Sequence, residues 1–207
     1  MEINASTASK IKDSTIRHIG TSVVLIVVSV IALGIVYPLL MTGISQLLFP
    51  YQANGSMVTV NGKRIGSAII GQLWTKPQYF QGRPSAAGKN GYDPTSTGGT
   101  NEGPTNKKLI DATKATIATL KKQNPDATIP VPMDLVTSSG SGIDPDISPA
   151  GALYQAPRVA KARHLPLARV EVLISQHTRG RILGFLGEQR VNVLDLNMAL
   201  DGVTAGH

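Results

Sequence analysis

The sequence predicts an α+β fold, or a small α/β fold, in which one N-terminal transmembrane helix is followed by a single extracytoplasmic domain with a few strands and about four helices. Three observations lead to this prediction. No Lys, Arg, Asp or Glu occurs between Arg17 and Lys63, strand and helix signals alternate after that stretch, and two long loop-rich blocks separate them. The predicted organisation is a cytoplasmic tail (1–18), a transmembrane helix with a membrane-proximal extension (19–49) and an extracytoplasmic domain (50–207).

The apolar run is long enough to cross a bilayer. As a helix, residues 20–41 would extend about 30 Å, which matches the hydrocarbon core. A buried helix of a soluble core is rarely apolar on every face over such a length. A cleaved signal peptide has a shorter apolar region that ends at a small-residue cleavage site, and no A-x-A site closes this one. We therefore expect a retained membrane anchor.

Flanking charge predicts the orientation of this anchor. Lys10, Lys12 and Arg17 precede the apolar run, whereas the first basic residue after it is Lys63. Basic residues close to a span remain in the cytoplasm. We expect a single-pass protein of the plasma (inner) membrane with a cytoplasmic N-terminus and an extracytoplasmic C-terminal domain.

The apolar run is also longer than a span requires. Residues 19–48 would form a helix of about 45 Å, and Pro38 should kink or end it because proline lacks the amide proton and clashes with the preceding turn. The excess has to tilt, bend or pack on protein. We expect packing against membrane partners as well as lipid at five positions, namely Gly34, Pro38, Leu47, Leu48 and Phe49.

Composition excludes several function classes. The net charge is +7, but the basic residues are scattered and aromatics make up only 4% of the chain. A nucleic-acid platform would concentrate both, so we expect no nucleic-acid partner. There are no cysteines, which excludes disulfides and thiolate zinc sites, and the four histidines lack metal-ligand spacing. No metal site is predicted.

The first half of the extracytoplasmic domain has two clear local signals. Asn61-Gly62 between two β-prone runs predicts a hairpin with a type I′ turn. A helix is expected over 105–123, capped by Thr105 or Asn106 and ended by Asn124-Pro125. Its apolar stripe consists of Leu109, Thr113, Ile117 and Leu120.

Further helices are predicted in the second half. Ser148-Pro149 has the form of a cap followed by an N1 proline, so we expect a helix over 150–163 that Pro157 breaks or restarts midway. Pro166 should open another helix that extends to about His177. Residues 190–201 are typical of a short strand that leads into a terminal helix.

The loop-rich blocks at 72–104 and 131–148 carry no catalytic pattern. The TGGT turn lacks the lysine of a P-loop, and neither Ser139 nor Ser141 has the spacing of a G-x-S-x-G nucleophile elbow. Asp144 and Asp146 are separated by a proline and fit no calcium loop. A membrane-anchored exported hydrolase that uses Ser139 or Ser141, or a module that binds an anionic ligand, remain the alternative functions.

Taken together, the motifs resemble a known family. After the span come FPYQANGS, GSAIIGQ, YFQGRPSA, a GG-T-N turn, VPMDLVTSSGSGIDPDIS, QAPRVAKAR and VNVLDLN. This series resembles the C subunit of the bacterial Kdp potassium-transporting P-type ATPase (KdpC) from about residue 15 to residue 202. The chain departs from that family at Thr97, Thr100 and Glu102, where Ser, Ser and an apolar residue are more usual.

The resemblance implies a function without catalysis. It implies a non-catalytic subunit of a high-affinity, ATP-driven potassium uptake complex that is required for assembly. The family is described as a catalytic chaperone that raises the ATP affinity of the hydrolytic subunit. The chain would have no cofactor of its own, because partner subunits handle potassium and ATP with Mg. Those partners would be a potassium-binding channel-like subunit, an ATP-hydrolysing P-type subunit and a small single-span subunit, in addition to membrane lipid.

We expect the extracytoplasmic domain to dock over the outer mouth of the potassium-selecting subunit, with any effect on ATP affinity being indirect. One loop face would be built by Gln72, Arg83, Ser85, Gly98, Gly99 and Asn101. A second would be built by Asp134, Ser139, Ser141, Asp144, Gln155 and Arg158, and Asn192 and Asn197 are further candidates. The alternative is that these residues only build the loops, with Asp134 as a cap, the glycines as positive-φ hinges and Arg83 as a bridge to backbone carbonyls.

Overall fold

The computed structural model describes the backbone of residues 5–202 and the side chains of residues 14–202. Within these residues the chain forms two compact units, one up to Asn54 and the other from Gly55 on. Each unit is described by itself. The predicted boundaries between tail, span and extracytoplasmic domain remain predictions.

The N-terminal unit is helical. It consists of α1 (Ala5–Ser29), a π-helical segment (Val30–Val36), α2 (Tyr37–Leu48) and the short α3 (Pro50–Ala53). The stretch Ser14–Leu48 is, by length and composition, capable of crossing a membrane. The five positions expected to pack in the membrane are all exposed within this unit, and Leu47 is exposed to 81%.

The helix does not end at Pro38. The π-helical segment directly precedes α2, and the Tyr37 amide donates to Ala32 O, five residues back. Proline cannot donate to the carbonyl four residues earlier and its ring collides with that carbonyl. A wider turn that contains Gly34 relieves this conflict, and a π-helical turn is a recognised way to continue a helix past such a site.

The second unit begins with the predicted hairpin. Strands β1 (Met57–Val60) and β2 (Lys63–Ser67) pair antiparallel with a bulge between Val58 and Thr59. Asn61 has φ +50° and Gly62 has φ +76°. Positive φ at both central residues is what a type I′ turn requires, so this prediction is confirmed.

Helix caps also lie where the sequence placed them. The Asn106 side chain accepts the Lys108 amide at the start of α4 (Lys107–Gln123), and Ser148 accepts the Gly151 amide at the start of α5 (Pro149–Arg163). The prediction that Pro157 breaks this helix is wrong. Helix α5 continues through Pro157 because residues on both sides of it are fixed in the core, namely Tyr154, Gln155, Ala156, Val159 and Ala160.

A small three-stranded antiparallel sheet closes the fold. Its strand order is β3-β5-β4, with β3 at Asp146–Ile147, β4 at Thr178–Arg179 and β5 at Arg190–Asn192. Helix α6 (Leu167–His177) leads into β4, and α7 (Val193–Leu200) follows β5 directly. The strand-to-helix prediction for 190–201 is confirmed, whereas the two-residue strands β3 and β4 were not predicted.

The main core lies between this sheet and helices α5, α6 and α7. Phe80, from the first loop-rich block, is fully buried in it. Phe80 belongs to no helix or strand, so a loop residue completes the core.

Among the described residues, the mixture of helices and two small sheets confirms the α+β prediction.

Candidate functional site

Two long loops are joined to each other by hydrogen bonds. We call residues 72–104 loop block 1 and residues 131–148 loop block 2. The Gly98 amide donates to Ser141 O at 2.9 Å, and the Ser85 hydroxyl donates to Gly142 O. Just before loop block 1, the Gly71 amide donates to Ile143 O at 2.9 Å. The two blocks form one continuous structure.

Arg83 is the main polar link between the blocks. Its Nη1 lies 3.0 Å from Asp144 Oδ2, and the two side chains are 24% and 27% exposed. Its Nη2 reaches the carbonyls of Thr137 and Ser138 at 3.5 and 3.4 Å. A partly buried arginine that binds a carboxylate and two carbonyls fixes loop geometry more firmly than a surface ion pair.

Tyr92 fixes the backbone on the other side of Arg83. Its hydroxyl donates to Arg83 O. A Cβ at Gly71 would come within 2.4 Å of its ring, and a Cβ at Gly82 would come within 2.6 Å of its hydroxyl oxygen. Burial, followed by the nearby charge of Asp144, raises the pKa of Tyr92 to about 12. The hydroxyl therefore stays protonated and able to donate at neutral pH.

Loop block 2 contains a glycine that no other residue can replace without strain. Gly142 has φ +71°, and a Cβ there would lie 2.6 Å from Gly98 O. Its amide donates to the buried Ser139 hydroxyl at 2.9 Å. Gly99 lies against Ser139 O, 3.4 Å from where its Cβ would stand. The glycines allow the two backbones to approach each other closely.

The start of loop block 1 is held by side chains from the C-terminal helices. We call residues 77–81 the anchored segment. Asn197 Oδ1 accepts the Phe80 amide at 2.8 Å while its Nδ2 donates to Phe80 O at 2.9 Å. Gln155 binds the backbone of Gln81 in the same way: its Oε1 accepts the Gln81 amide at 2.8 Å, and its Nε2 donates to Gln81 O at 3.0 Å. Side-chain amides thus satisfy a buried backbone that has no neighbouring strand.

Two arginines of α5 complete these contacts. Arg158 donates to the carbonyls of Pro77 and Tyr79, and its Nε donates to Asn124 Oδ1 at 2.9 Å. Burial lowers the pKa of Arg158 to about 10, so it remains charged at neutral pH. Arg163 donates to Gln78 O at 2.7 Å, and its guanidinium carbon lies 4.9 Å from the centre of the Tyr79 ring.

The remaining predicted residues have local contacts. Asp134 accepts the amide and hydroxyl of Ser148 at 2.7 and 3.0 Å, which fixes the start of α5. Gln72 donates to Ile65 O at 3.0 Å. Asn192 caps α7 and donates to Ala68 O. Asn101 is exposed, with φ +52°.

The structure groups the predicted residues differently from the sequence. The two expected loop faces form one structure, because members of both sets contact each other: Arg83 binds Asp144, Gly98 binds Ser141 and Gly99 lies against Ser139. Ser85 joins the same structure through Gly142, which was not among the predicted residues. A second group is buried under the anchored segment and consists of Gln155, Arg158 and Asn197. Sequence reasoning missed Tyr79, Tyr92 and Arg163; aromatic residues inside a Gly- and Pro-rich loop were the available signal.

Two of the residues that line a cleft between loop block 1 and α4 have a buried donor without a partner. Trp74, Arg83, Lys89, Tyr92 and Thr119 are among its lining residues. Within the described part of the chain, Trp74 Nε1 and Arg83 Nε are buried without a hydrogen-bond partner. Such donors cost free energy until an acceptor from water or a bound partner reaches them.

Among the described side chains, no cluster of three His, Asp or Glu residues is suited to hold a metal ion. The Ser139 hydroxyl lies 3.3 Å from the Ser141 hydroxyl and accepts a backbone amide, so it serves the loop conformation. These contacts give no support to the alternative of a serine hydrolase.

Comparisons with known proteins agree on one family. Residues 19–202 match the KdpC family model, described as "K+-transporting ATPase, c chain". The chain is 50% identical over 188 residues to the potassium-transporting ATPase KdpC subunit of Methylococcus capsulatus, covering 91% of this chain and 99% of that protein. It is 54% identical over 185 residues to the KdpC subunit of Acidobacterium capsulatum, covering 89% and 98%. The similarity extends over both the apolar helix and the folded domain.

Proposed function

Because this chain belongs to the KdpC family, the c chain of K+-transporting ATPases, we propose that it is required to assemble a high-affinity, ATP-driven potassium uptake complex. It is an accessory subunit of that ATPase and not its hydrolytic one. The partners would be the channel-like potassium-binding subunit, the P-type subunit and a small single-span subunit. Potassium and Mg-ATP would be bound by those partners.

The proposed topology places the folded domain outside the cytoplasm. Lys10, Lys12 and Arg17 before the span support a cytoplasmic N-terminus. Protease added to intact cells should leave the chain uncut, and protease added to spheroplasts should degrade the domain after residue 50. Digestion only after the inner membrane is opened would refute this orientation.

The observation that carries the docking proposal is the hydrogen-bonded union of the two loop blocks. Arg83–Asp144, Gly98–Ser141 and Ser85–Gly142 hold one loop surface in a fixed conformation before any partner binds. A surface that is already ordered loses little conformational entropy on binding. This supports docking of the joined loops over the outer mouth of the potassium-selecting subunit.

An effect on ATP affinity would then be indirect. The folded domain and the nucleotide would lie on opposite sides of the membrane, so no direct contact is available. Two sites that favour the same conformational state of a complex influence each other's affinity reciprocally. We propose that docking favours a state of the hydrolytic subunit that binds ATP more tightly.

A truncation tests the assembly role. Removing residues 51–207 while keeping the span should abolish potassium uptake at low external potassium and reduce recovery of the complex by affinity purification. A fully assembled, transporting complex without the domain would refute the proposal. Lys161→Ala is a suitable point control, because this exposed lysine of α5 contacts only the exposed Asp126 among the ion pairs of the described residues.

A further inference from the structure

A hairpin between β4 and β5 presents apolar side chains to solvent. We call residues 180–187 the apolar hairpin. Its two arms are joined by reciprocal backbone bonds between Ile182 and Leu186, both 2.9 Å long. Ile182 is 57% exposed, Leu183 79%, Phe185 68% and Leu186 47%. Four large apolar side chains in five consecutive positions form an exposed patch of the kind that marks a binding surface.

The backbone conformation at the tip of the hairpin is energetically unfavourable for leucine. Leu183 has φ +54° and Gly184 has φ +83°. A leucine in the left-handed region is unusual, and burial does not explain it because this side chain is the most exposed of the four. The hairpin therefore holds a leucine outward in a conformation that benefits neither the backbone nor the core.

The charges at the base of the hairpin decide which class of occupant fits. Arg179 binds Asp195, Arg181 binds Glu188 at 2.7 Å, and Arg190 binds Asp146 at 3.1 Å. Each arginine at the base is paired with a carboxylate, so the three pairs together carry no net charge.

Loops that insert into anionic lipid combine apolar residues with basic residues that are free to meet headgroups. Here the arginines are already engaged with the protein's own carboxylates. A neutral polar rim around an apolar centre is instead the usual anatomy of a protein–protein interface, in which a buried aromatic serves as an anchor.

We propose that the apolar hairpin is a docking element that inserts Leu183 and Phe185 into an apolar cleft on the extracytoplasmic face of another subunit of the potassium-transporting ATPase. This rests on the proposed function and adds a second contact, on residues distinct from loop blocks 1 and 2. The occupant is a neutral, apolar protein surface. Anionic lipid and a second copy of this chain are the competing occupants.

The test titrates labelled full-length chain in detergent into the other subunits of the ATPase, which are co-expressed and solubilised without it. Leu183→Ser combined with Phe185→Ser should raise the dissociation constant by about 10- to 100-fold, the usual effect of removing interface anchors. Val172→Ser is the matched control, because Val172 is 53% exposed on α6 and lies outside the hairpin. It should leave the dissociation constant unchanged, and all variants should keep the melting temperature of the parent chain.

A second measurement identifies the occupant. With photoreactive benzoylphenylalanine in place of Phe185, irradiation of the assembled complex should give an adduct with another ATPase subunit, whereas the same residue in place of Val172 should not. Equal affinity of the double variant, or adducts only with lipid or with a second copy of the chain, would overturn the hairpin proposal. If the unsubstituted chain fails to bind the other subunits, the proposed function itself fails and the hairpin proposal with it.

Discussion

Asn197 is the residue whose replacement tests the architecture most directly. Its side chain is fully buried and makes two hydrogen bonds, both to the backbone of Phe80. Asn197→Ala leaves the amide and the carbonyl of Phe80 buried without partners. At about 1–3 kcal/mol for each unsatisfied group, we expect the free energy of unfolding to fall by about 2–6 kcal/mol.

The expected change is large enough to measure in the full chain in detergent. For a domain of this size, about 1 kcal/mol corresponds to roughly 2–4 °C in melting temperature, so a central loss of about 4 kcal/mol predicts a decrease of about 8–16 °C. Asn90→Ala is the matched control, because Asn90 is exposed in loop block 1 and should change stability by less than about 0.5 kcal/mol. Scanning calorimetry gives the melting temperature, and hydrogen exchange should show faster exchange in the anchored segment.

Asn197→Asp separates hydrogen bonding from packing. An ionised carboxylate keeps the bond from the Phe80 amide but faces the Phe80 carbonyl without a proton to donate. A protonated carboxyl can accept and donate as the amide does. The destabilisation should therefore be smaller near pH 4 than at about pH 7. A melting temperature of Asn197→Ala within about 2 °C of the parent, with unchanged exchange at Phe80, would show that these two hydrogen bonds do not stabilise the domain.

Three further predictions concern the loop blocks. Arg83→Ala removes the contact with Asp144 and should lower both the recovery of the assembled complex and potassium uptake. The melting temperature should fall by only a few degrees, and complete unfolding would instead favour a purely architectural role for Arg83. Gly142→Ala should lower the free energy of unfolding by more than about 2 kcal/mol in urea titrations, because its Cβ would meet Gly98 O at a positive φ; a neutral result would contradict the described backbone. Since the raised pKa of Tyr92 means that the folded state keeps its proton longer, this residue's contribution is complete below pH 10 and is lost as the pH rises towards 12. Tyr92→Phe should therefore flatten the decline in stability between about pH 10 and 12, and an unchanged slope would count against the buried hydroxyl.

Local chemistry made parts of this fold predictable. Asn61-Gly62, Asn106 and Ser148 each act on backbone within three residues of themselves, so a single sequence contains the whole signal. The predicted helix break at Pro157 was wrong because the neighbouring residues are buried in a core, and local helix propensity does not describe that packing. Strand β3 was not predicted because Asp146 pairs with Asn192, 46 residues away, over only two residues.

The candidate site was predictable in composition but not in arrangement. The Gly- and Pro-rich blocks indicated loops with specific contacts, and Arg83 and Asp144 were both named from sequence. Nothing local shows that Asn197 binds Phe80, because the partner lies 117 residues away. The apolar hairpin was not predicted for a different reason. Glycines that alternate with apolar residues are equally typical of a buried turn, and only solvent exposure in the folded chain distinguishes a buried turn from an exposed hairpin.

The hydrogen bonds that hold residues 77–81 determine when in synthesis this part of the domain can fold. The segment is synthesised before its partners, since Gln155 lies 74 residues and Asn197 117 residues beyond it. Contacts so distant in sequence form only after a large loop has closed. Phe80 therefore stays without its Asn197 partner until α7, the last helix of the described residues, has been synthesised. A truncation just before Asn197 would remove little sequence and yet leave the buried backbone of Phe80 without both of its hydrogen bonds.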